Sequence, residues 1–172
     1  MSRDLSHRTA IRRKGLSAPA VLLHNDGALR GRILDFGCGR GDDVRNLCNN
    51  GYRAEGYDPT WRPREPQGEF DTILCTYVLN TIENYEVRLT VLSRIAMLLA
   101  PGGHAFITVR RDVKGLGYTS KGTWQANLIL LGWNNGSRSV RKRPGFETYR
   151  LDRIDCNNTY FAIRTANTKE KA

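Results

Sequence analysis

The chain lacks the features of membrane, secreted and metal-binding proteins. No apolar run among its 172 residues is long enough to cross a bilayer, and the N-terminus is too basic and polar for a secretory signal. Histidine is scarce, with three residues, and neither these nor the four cysteines follow a metal-ligand or disulfide spacing. We therefore expect a cytoplasmic protein with free thiols, no metal ion and no membrane partner.

Acidic residues are few relative to basic ones, 17 against 27, which gives a net charge of +10. The excess lies in two segments, because residues 1–32 carry +5 and residues 110–153 carry +7, whereas residues 33–109 carry −3. Basic flanks that fold over a crevice in the central segment would form a positive rim suited to a polyanion. Four aromatic residues interleave with the basic ones: Tyr118, Trp124, Trp133 and Tyr149. Because such rings can stack on bases, we favour a nucleic-acid partner over a generally basic surface.

Length and local patterns predict one domain of alternating strands and helices. We expect an extended, basic N-terminal arm over residues 1–16, the domain over 17–166 and a frayed tail over 167–172. The oligomeric state is left open. The predicted strands are residues 32–36, 53–57, 70–76, 104–110, 146–151 and 159–164. The predicted helices are residues 18–25, 42–50 and 85–99, with a turn at 101–103 and a glycine-rich loop at 114–121.

Residues 33–41, Ile-Leu-Asp-Phe-Gly-Cys-Gly-Arg-Gly, are the most informative stretch. A strand ends there in a turn with glycine at every second position, and a helix follows from Asp42. Glycines let the backbone approach a ligand closely, and a helix N-terminus offers free N–H groups. Asp58 follows the second predicted strand, where an acidic residue can accept hydrogen bonds from ribose hydroxyls. The alternative is a turn that only connects a strand to a helix.

The acidic residues near these glycines argue against a dinucleotide. Position 42 is aspartate, whereas the pattern Gly-x-Gly-x-x-Gly requires glycine there. Asp35, just before the glycines, would repel a pyrophosphate and attract an ammonium group. S-adenosylmethionine carries both an amino acid and an adenosine, and the segment resembles the first motif of class I methyltransferases that depend on it.

This resemblance implies an α/β, Rossmann-like fold and a set of residues that contact S-adenosylmethionine. They are Asp35, Gly37, Cys38, Gly39, Gly41, Asp42, Asp58, Pro59, Thr76 and Tyr77. Class I members usually have a helix, a strand and another helix between the ribose-binding acid and the next strand. Here residues 59–69, with three prolines, are too short to hold them, so we predict a shortened sheet without the usual third strand. Trp61 is a candidate replacement for the missing adenine wall, or it packs over the sheet edge.

Further blocks are similar to the methyltransferases associated with DNA phosphorothioation loci and to their small stand-alone relatives. These blocks are residues 7–13, 16–19, 35–44, 56–59, 77–83 and 122–125. The similarity implies S-adenosylmethionine chemistry in a DNA-linked setting. It ends after Gln125, where a helical segment expected in the family is replaced by Leu-Ile-Leu-Leu-Gly and, further on, the basic run 138–143.

Two acceptor motifs are absent from the chain. The segment after the third predicted strand, residues 75–80, is Cys-Thr-Tyr-Val-Leu-Asn. It has neither the Asp/Asn-Pro-Pro-Tyr/Phe of exocyclic-amine methyltransferases nor the Pro-Cys of cytosine-C5 enzymes. Tyr77 and Asn80 remain as catalytic candidates that hold the substrate. Each also has a structural alternative, Tyr77 as a wall of the cofactor pocket and Asn80 as a turn residue.

The candidate substrate-binding residues come from the arm and from the segment after residue 109. They are Arg12, Arg13, Arg110, Arg111, Tyr118 and Gln125. Arginine forks suit phosphate, although a salt bridge with Asp112 is an alternative for one of them. His7 is a possible general base, though a histidine near a terminus usually is not one. We expect a methyltransferase that acts on nucleic acid. A small-molecule or protein acceptor, or a non-catalytic module that binds S-adenosylmethionine, remains open.

Overall fold

The computed structural model of the chain describes residues 6–113, 116–132, 137–152 and 161–165. The helices are α1 (Ala18–Asn25), α2 (Asp42–Asn49) and α3 (Tyr85–Leu98), with 3-10 turns at Ser6–Thr9 and Leu79–Thr81. The first strands are β1 (Arg32–Phe36), β2 (Arg53–Tyr57), β3 (Phe70–Thr76), β4 (Leu99–Arg110) and β5 (Leu116–Tyr118). The others are β6 (Trp124–Ala126), β7 (Leu128–Gly132), β8 (Ser137–Arg143), β9 (Phe146–Asp152) and β10 (Phe161–Thr165).

The main sheet has six strands in the order β2-β1-β3-β4-β9-β8. The first four run parallel, whereas β9 is antiparallel to both β4 and β8. Residues 58–69 contain no strand or helix, so β2 forms one edge of the sheet, as the shortened sheet requires. The carboxyl ends of β1 to β4 meet at one edge, where open α/β sheets bind ligands.

Apolar side chains cover both faces of this sheet. On one face, Leu23 of α1 and Leu47 of α2 pack with Ile33 and Leu74. On the other face, Leu92 and Ile95 of α3 pack against the alternate residues of β1 and β3 and against β4. The side chain of Asn84 caps α3 by accepting a hydrogen bond from the N–H of Val87 at 3.1 Å. No helix of the described residues is long and apolar enough to cross a membrane.

The predicted elements up to residue 98 agree with the structure to within one residue at their ends, whereas β4 differs. This strand begins at Leu99, and the predicted turn at 101–103 lies inside it. Leu99 pairs with Phe70 and His104 pairs with Thr72, so four residues of β4 lie opposite one residue of β3, an excess of three. A Cβ at Gly103 would lie 2.9 Å from the Phe70 carbonyl oxygen, so this close approach requires glycine. The turn residues therefore form a bulge in a longer strand.

After residue 113, β9 agrees with the predicted strand 146–151 to within one residue, whereas several other strands were not predicted. The expected glycine-rich loop contains β5, which pairs with β6, and neither β6, β7 nor β8 was predicted. Strand β10 pairs with β7 in a separate ribbon and begins two residues after the predicted start. Residues 159 and 160, Trp133 and the predicted tail at 167–172 lie outside the described residues.

The N-terminal arm folds back onto the glycine turn. Residues Ser6–Thr9 form a 3-10 turn where we expected an extended segment. The N–H of Arg13 donates to Asp42 Oδ2 at 2.6 Å, and the N–H of Ser17 donates to Asp43 Oδ1 at 2.7 Å. Ser17 occupies the N-cap position of α1, but its side chain makes no capping hydrogen bond. Two carboxylates at the start of α2 thus hold the arm over the carboxyl edge of the sheet.

Candidate functional site

A cavity of about 780 Å³ lies at the carboxyl edge of the parallel strands. Its walls come from four parts of the chain. They are the arm, the glycine turn with the carboxyl end of β2, the carboxyl end of β3 with α3, and the last residue of β4 with the first residue of β9. Ligand pockets of small molecules and cofactors commonly have this size. Of the predicted contact residues, seven line it: Gly37, Cys38, Gly39, Asp58, Pro59, Thr76 and Tyr77.

The glycine turn gives a ligand room, but the N–H groups of Gly37 and Cys38 are not free to bind it because they are already hydrogen-bonded. The N–H groups of Gly37 and Cys38 donate to the Tyr57 carbonyl at 2.7 and 3.0 Å. Gly37 has a φ of +82°, and a Cβ there would overlap the Val78 side chain. The turn therefore needs glycine at this position both for its backbone conformation and for its packing.

Asp58 is fixed at the cavity wall by backbone donors. Its Oδ1 accepts hydrogen bonds from the N–H groups of Thr60 and Trp61, both at 2.9 Å, and its Oδ2 accepts one from Gly39 at 3.1 Å. A carboxylate offers about four lone-pair sites, so one site on Oδ2 is left for a ligand donor. This geometry suits a hydroxyl such as that of a ribose.

Asp35 lies buried behind the glycine turn and is not among the residues that line the cavity. Burial, and then the nearby carboxylates of Asp43 and Asp58, raise the pKa of Asp35 to about 8, while Arg13 and Arg62 oppose the rise. The acid cluster therefore favours an additional positive charge nearby. An ammonium group of a ligand would supply it.

Gly41 and Asp42 do not line the cavity either. Gly41 begins α2 with a φ of +77°, and the Arg62 guanidinium occupies the space that a Cβ would need. Asp42 accepts hydrogen bonds from the N–H of Arg13 and from Arg45, which lower its pKa. The structure thus places Asp42 as an anchor of the arm, at a distance from the ligand space.

The half-buried Cys38 thiol lies in the cavity wall and is not activated. Burial, followed by the charges of Asp35 and Asp58, raises the pKa of Cys38 above its usual value. The thiol therefore stays protonated near neutral pH and is not a nucleophile.

Tyr77 has the one positive φ, +61°, of a described residue other than glycine. Its N–H donates to the Thr108 carbonyl at 2.9 Å, and its ring meets that of Phe146 edge to face. Non-glycine residues with positive φ cluster at functional sites. Burial raises the pKa of Tyr77, so the phenol keeps its proton and can donate it in a hydrogen bond.

Asn80 is fully buried at the cavity wall beside Gln125, which also lines the cavity. Asn80 Nδ2 donates to Gln125 Oε1 at 3.0 Å, and Asn80 Oδ1 has no partner among the described residues. Tyr77, Asn80 and Gln125 are therefore brought together by the fold, although 45 residues separate Asn80 from Gln125.

The two arginines at the end of β4 have different surroundings. Arg110 lines the cavity and donates from Nε and Nη2 to the two oxygens of Asp112, at 2.8 and 2.7 Å. The Arg111 guanidinium instead bonds Glu147, Asn127 and the Leu128 carbonyl, away from the cavity. Arg111 is thus placed between the strands and does not meet a cavity ligand.

The remaining predicted residues divide between the cavity and its surroundings. Arg13 and His7 line the cavity, whereas the Arg12 side chain is 71% exposed beside it. Tyr118 lines a neighbouring cavity instead. Trp61 is not among the lining residues, and its ring lies 3.8 Å from the Arg40 guanidinium.

The expectation of base stacking needs a correction for two aromatic residues. Trp124 and Tyr149 are buried in the core, where Trp124 packs under Arg88 and Tyr149 lies in β9. Neither ring has a face open to a base. Tyr118 is exposed, and Trp133 lies outside the described residues.

Helix α3 also contributes side chains to the cavity wall. Val87 and Val91 line the cavity, and Val87 is 47% exposed. Arg94, one turn further on, also lines it and lies 5.1 Å from the centre of the Tyr57 ring. An arginine on an otherwise apolar helix face was the one sequence signal of this exposure.

Comparisons with known proteins agree with this architecture. A family model described as "Methyltransferase domain" matches residues 7–148. A 1,6-didemethyltoxoflavin-N1-methyltransferase of Burkholderia thailandensis, solved with 1,6-didemethyltoxoflavin and S-adenosylhomocysteine, has 19% identity and a TM-score of 0.56. The match covers 88% of this chain and 80% of that one.

A S-adenosylmethionine-dependent methyltransferase of Bacteroides fragilis, solved with S-adenosylhomocysteine, gives 15% identity and a TM-score of 0.52. That match covers 81% of this chain and 78% of the other. No curated protein sequence matches significantly. At these identities the solved structures show the fold, and the family model, which covers most of the chain, shows the family. The chain belongs to the methyltransferase domain family and has the Rossmann-like α/β fold of class I methyltransferases.

Proposed function

We propose that this protein transfers a methyl group from S-adenosylmethionine to nucleic acid. The enzyme class follows from the family, and S-adenosylmethionine is the methyl donor of this class of methyltransferases. Within the family, the resemblance to the methyltransferases of DNA phosphorothioation loci makes DNA the acceptor that we favour. The free thiols Cys38, Cys48 and Cys75 fit the reducing cytoplasm that we propose as its compartment.

The residues of the cavity fit S-adenosylmethionine. Asp58 would accept from the ribose hydroxyls, the turn at Gly37 and Gly39 leaves room for the amino-acid portion, and the face of α3 with Val91 borders the space for the base. When bound, S-adenosylmethionine supplies an electrophilic methyl group on a sulfonium. The acid cluster around Asp35 suits this cationic ligand, because a nearby positive charge would lower the raised pKa of Asp35 and favour its ionised form.

The acceptor would lie on the opposite wall, where the ends of β3, β4 and β9 meet. Tyr77 and Gln125 can orient it by hydrogen bonds, and Phe146 restricts the space beside Tyr77. Holding the acceptor atom in line with the methyl group supplies much of the catalysis in such a displacement. The proton that the acceptor loses passes to solvent, because the raised pKa of Tyr77 makes this residue a donor and not a base.

The observation that carries the nucleic-acid acceptor is the position of the two basic flanks. In the arm, Ala10, Ile11 and Arg13 line the cavity, and the intervening Arg12 is exposed. In the second flank, Lys142 and Arg143 are exposed immediately before residues 144–146, which line it. Exposed cations of both flanks thus adjoin, in sequence, residues that line one cavity, and Arg12 also lies 3.8 Å from Asp42. Cations near a cavity on two sides would suit a phosphate backbone.

Methyl transfer from labelled S-adenosylmethionine into DNA, RNA, protein and small-molecule fractions tests this proposal. We expect label in a nuclease-sensitive fraction, and a several-fold loss of nucleic-acid affinity with a smaller salt dependence for Arg12→Ala and Arg143→Ala. Arg53→Ala is the matched control, because Arg53 is exposed at the amino end of β2, whereas the cavity lies at the carboxyl ends of the parallel strands. Label that resists nuclease, or equal affinities for all three variants, would contradict a nucleic-acid acceptor.

A small-molecule acceptor is the second candidate. The Burkholderia enzyme was solved with its small heterocyclic acceptor, and the arm of the present chain covers much of the cavity. Turnover that is indifferent to nuclease and to Arg143→Ala would favour this candidate.

A further inference from the structure

A second cavity, of about 340 Å³, opens beside the first and shares part of its wall. Strand β5, the hairpin turn after it and the end of β4 line this space. Arg110 and Gln125 line both cavities, so the two spaces meet at these side chains. The second cavity therefore continues the main cavity on its acceptor side.

Two exposed side chains form one wall of this second cavity. Leu116 and Tyr118 are 57% and 58% exposed, and both line the cavity. They are two residues apart on β5 and so lie on the same face of the strand. The Tyr118 hydroxyl donates a hydrogen bond to the Glu83 carboxylate, which fixes the ring. We name the surface of Leu116 and Tyr118 the ring platform.

The hairpin holds the ring platform in place. Tyr118 pairs with the buried Trp124 on β6. In the turn, the Thr119 N–H donates to the Thr123 carbonyl at 2.8 Å, and the two threonine hydroxyls lie 2.7 Å apart. A preformed surface reduces the entropy lost when a ligand binds.

The junction between the cavities carries hydrogen-bonding groups and little free charge. The cation of Arg110 is bonded by both oxygens of Asp112. Gln125 Oε1 accepts from Asn80, while Gln125 Nε2 makes no hydrogen bond within the described part of the chain. A carboxamide can donate and accept at one ligand edge, which is how asparagine and glutamine bind the edge of a nitrogen heterocycle.

We propose that the second cavity binds a planar heteroaromatic ring of the acceptor, with its face on the ring platform and its edge at Gln125. This inference rests on the proposed function, since the ring belongs to the molecule that is methylated. A neutral, flat ring matches the apolar platform, the fixed tyrosine and the absence of a free cation from the junction in the described residues. A base of a nucleic acid and a free heterocycle share this chemistry.

Binding measurements at saturating S-adenosylhomocysteine test the inference, because this ligand fills the cofactor cavity and leaves the second cavity to the probes. The probes are adenosine, guanosine, cytidine and uridine, and a labelled single-stranded DNA oligonucleotide of mixed sequence. Stacking of a base on an aromatic side chain contributes about 1–3 kcal/mol, so we expect Tyr118→Ala to weaken probe binding about tenfold. The affinity for S-adenosylhomocysteine should not change.

Two variants control for other effects. Tyr118→Phe keeps the ring and removes only the bond to Glu83, so it should retain most of the probe affinity. Tyr85→Ala removes an exposed tyrosine that lines neither cavity, and its probe affinity should equal that of the wild type.

The probes distinguish the two sources of the ring. Losses for nucleosides and oligonucleotide alike would support a nucleobase of a nucleic acid. Binding of nucleosides alone, lost in Tyr118→Ala, would support the ring site and contradict the nucleic-acid acceptor. The inference is overturned if Tyr118→Ala binds every probe like the wild type. It is equally overturned if no probe binds a wild-type protein that binds S-adenosylhomocysteine, and the methyltransferase assignment then stands.

Discussion

At the scale of single residues, the acids around the glycine turn have separate tasks. Asp58 is held by three backbone N–H groups and faces the cavity. Asp42 and Asp43 hold the arm and the start of α1. Asp35 is buried between them, with its pKa raised to about 8. Ionisation of Asp35 therefore costs free energy in the ligand-free protein, and a cationic ligand at this site would reduce that cost.

We predict that Asp35→Asn stabilises the ligand-free protein at pH 8. The pKa of Asp35 is about 8 in the folded chain against 3.8 for the ordinary group, so between these values the folded state binds the extra proton. The free energy of unfolding contributed by this group therefore falls as pH rises through that window. Urea unfolding at pH 5 and pH 8 should show a smaller decline for Asp35→Asn, with a gain at pH 8 on the order of a few kcal/mol.

The same substitution should weaken S-adenosylhomocysteine binding, because the ammonium group of the ligand loses its counter-charge. Equal pH dependence of unfolding in both proteins, or an Asp35→Asn variant less stable at pH 8, would contradict the assignment of an ionisation cost to Asp35.

At the scale of elements, the arm is part of the site although it lies outside the sheet. It reaches the cavity through Arg13, whose backbone N–H is bonded by Asp42. Asp42 was expected to contact the cofactor, but it does not line the cavity and instead positions Arg13, which does. The first turn of α2 thereby couples the glycine turn to a segment of opposite charge.

We predict that Asp42→Ala loosens the arm. Loss of the Arg13 and Arg45 partners should expose the arm to trypsin and increase the cleavage rate after Arg12 and Arg13 several-fold. The loss of the hydrogen bond from the Arg13 N–H to this carboxylate should alone cost about 1.5–3 kcal/mol of unfolding free energy. Limited proteolysis followed by mass spectrometry measures the cleavage.

Glu86→Ala is the control for that prediction, since it removes an acidic residue from the first turn of α3 without touching the arm. Equal cleavage of the arm in Asp42→Ala, Glu86→Ala and the wild type would show that Asp42 does not anchor it.

At the scale of the whole molecule, a shortened sheet and two basic flanks define the protein. Residues 58–69 contain no strand or helix and contact α3 through the ion pair of Glu65 with Arg94, while Val87 and Val91 of α3 line the cavity. In the flanks, Arg12 and Arg143 are exposed and are direct sequence neighbours of residues that line the same cavity. Residues 33–109 are mildly acidic and both flanks are basic, a distribution that would suit a cationic cofactor and the anionic acceptor that we propose.

Local signals explain what the sequence could predict. The turn at Gly37 follows from glycine spacing, and the start of α3 follows from the Asn84 cap, since both depend on residues close in the chain. Long-range pairing explains the rest. Arg111 was expected to bind the substrate, but it bonds Glu147 instead. The two residues lie 36 positions apart, so local sequence patterns do not indicate this pairing. Trp124 was expected to stack on bases, but it is buried. Its burial depends on the β5–β6 hairpin, which short-range patterns do not indicate.

The most direct test of the central claim, that the cavity at the glycine turn is the S-adenosylmethionine site, is the affinity for S-adenosylhomocysteine by isothermal titration calorimetry. We predict that the wild type binds it and that Asp58→Ala, still folded by circular dichroism, binds about tenfold or more weakly. Hydrogen bonds to a charged group are worth about 1.5–3 kcal/mol, which gives this factor. Unchanged affinity in Asp58→Ala, or no binding by the wild type, would contradict the account.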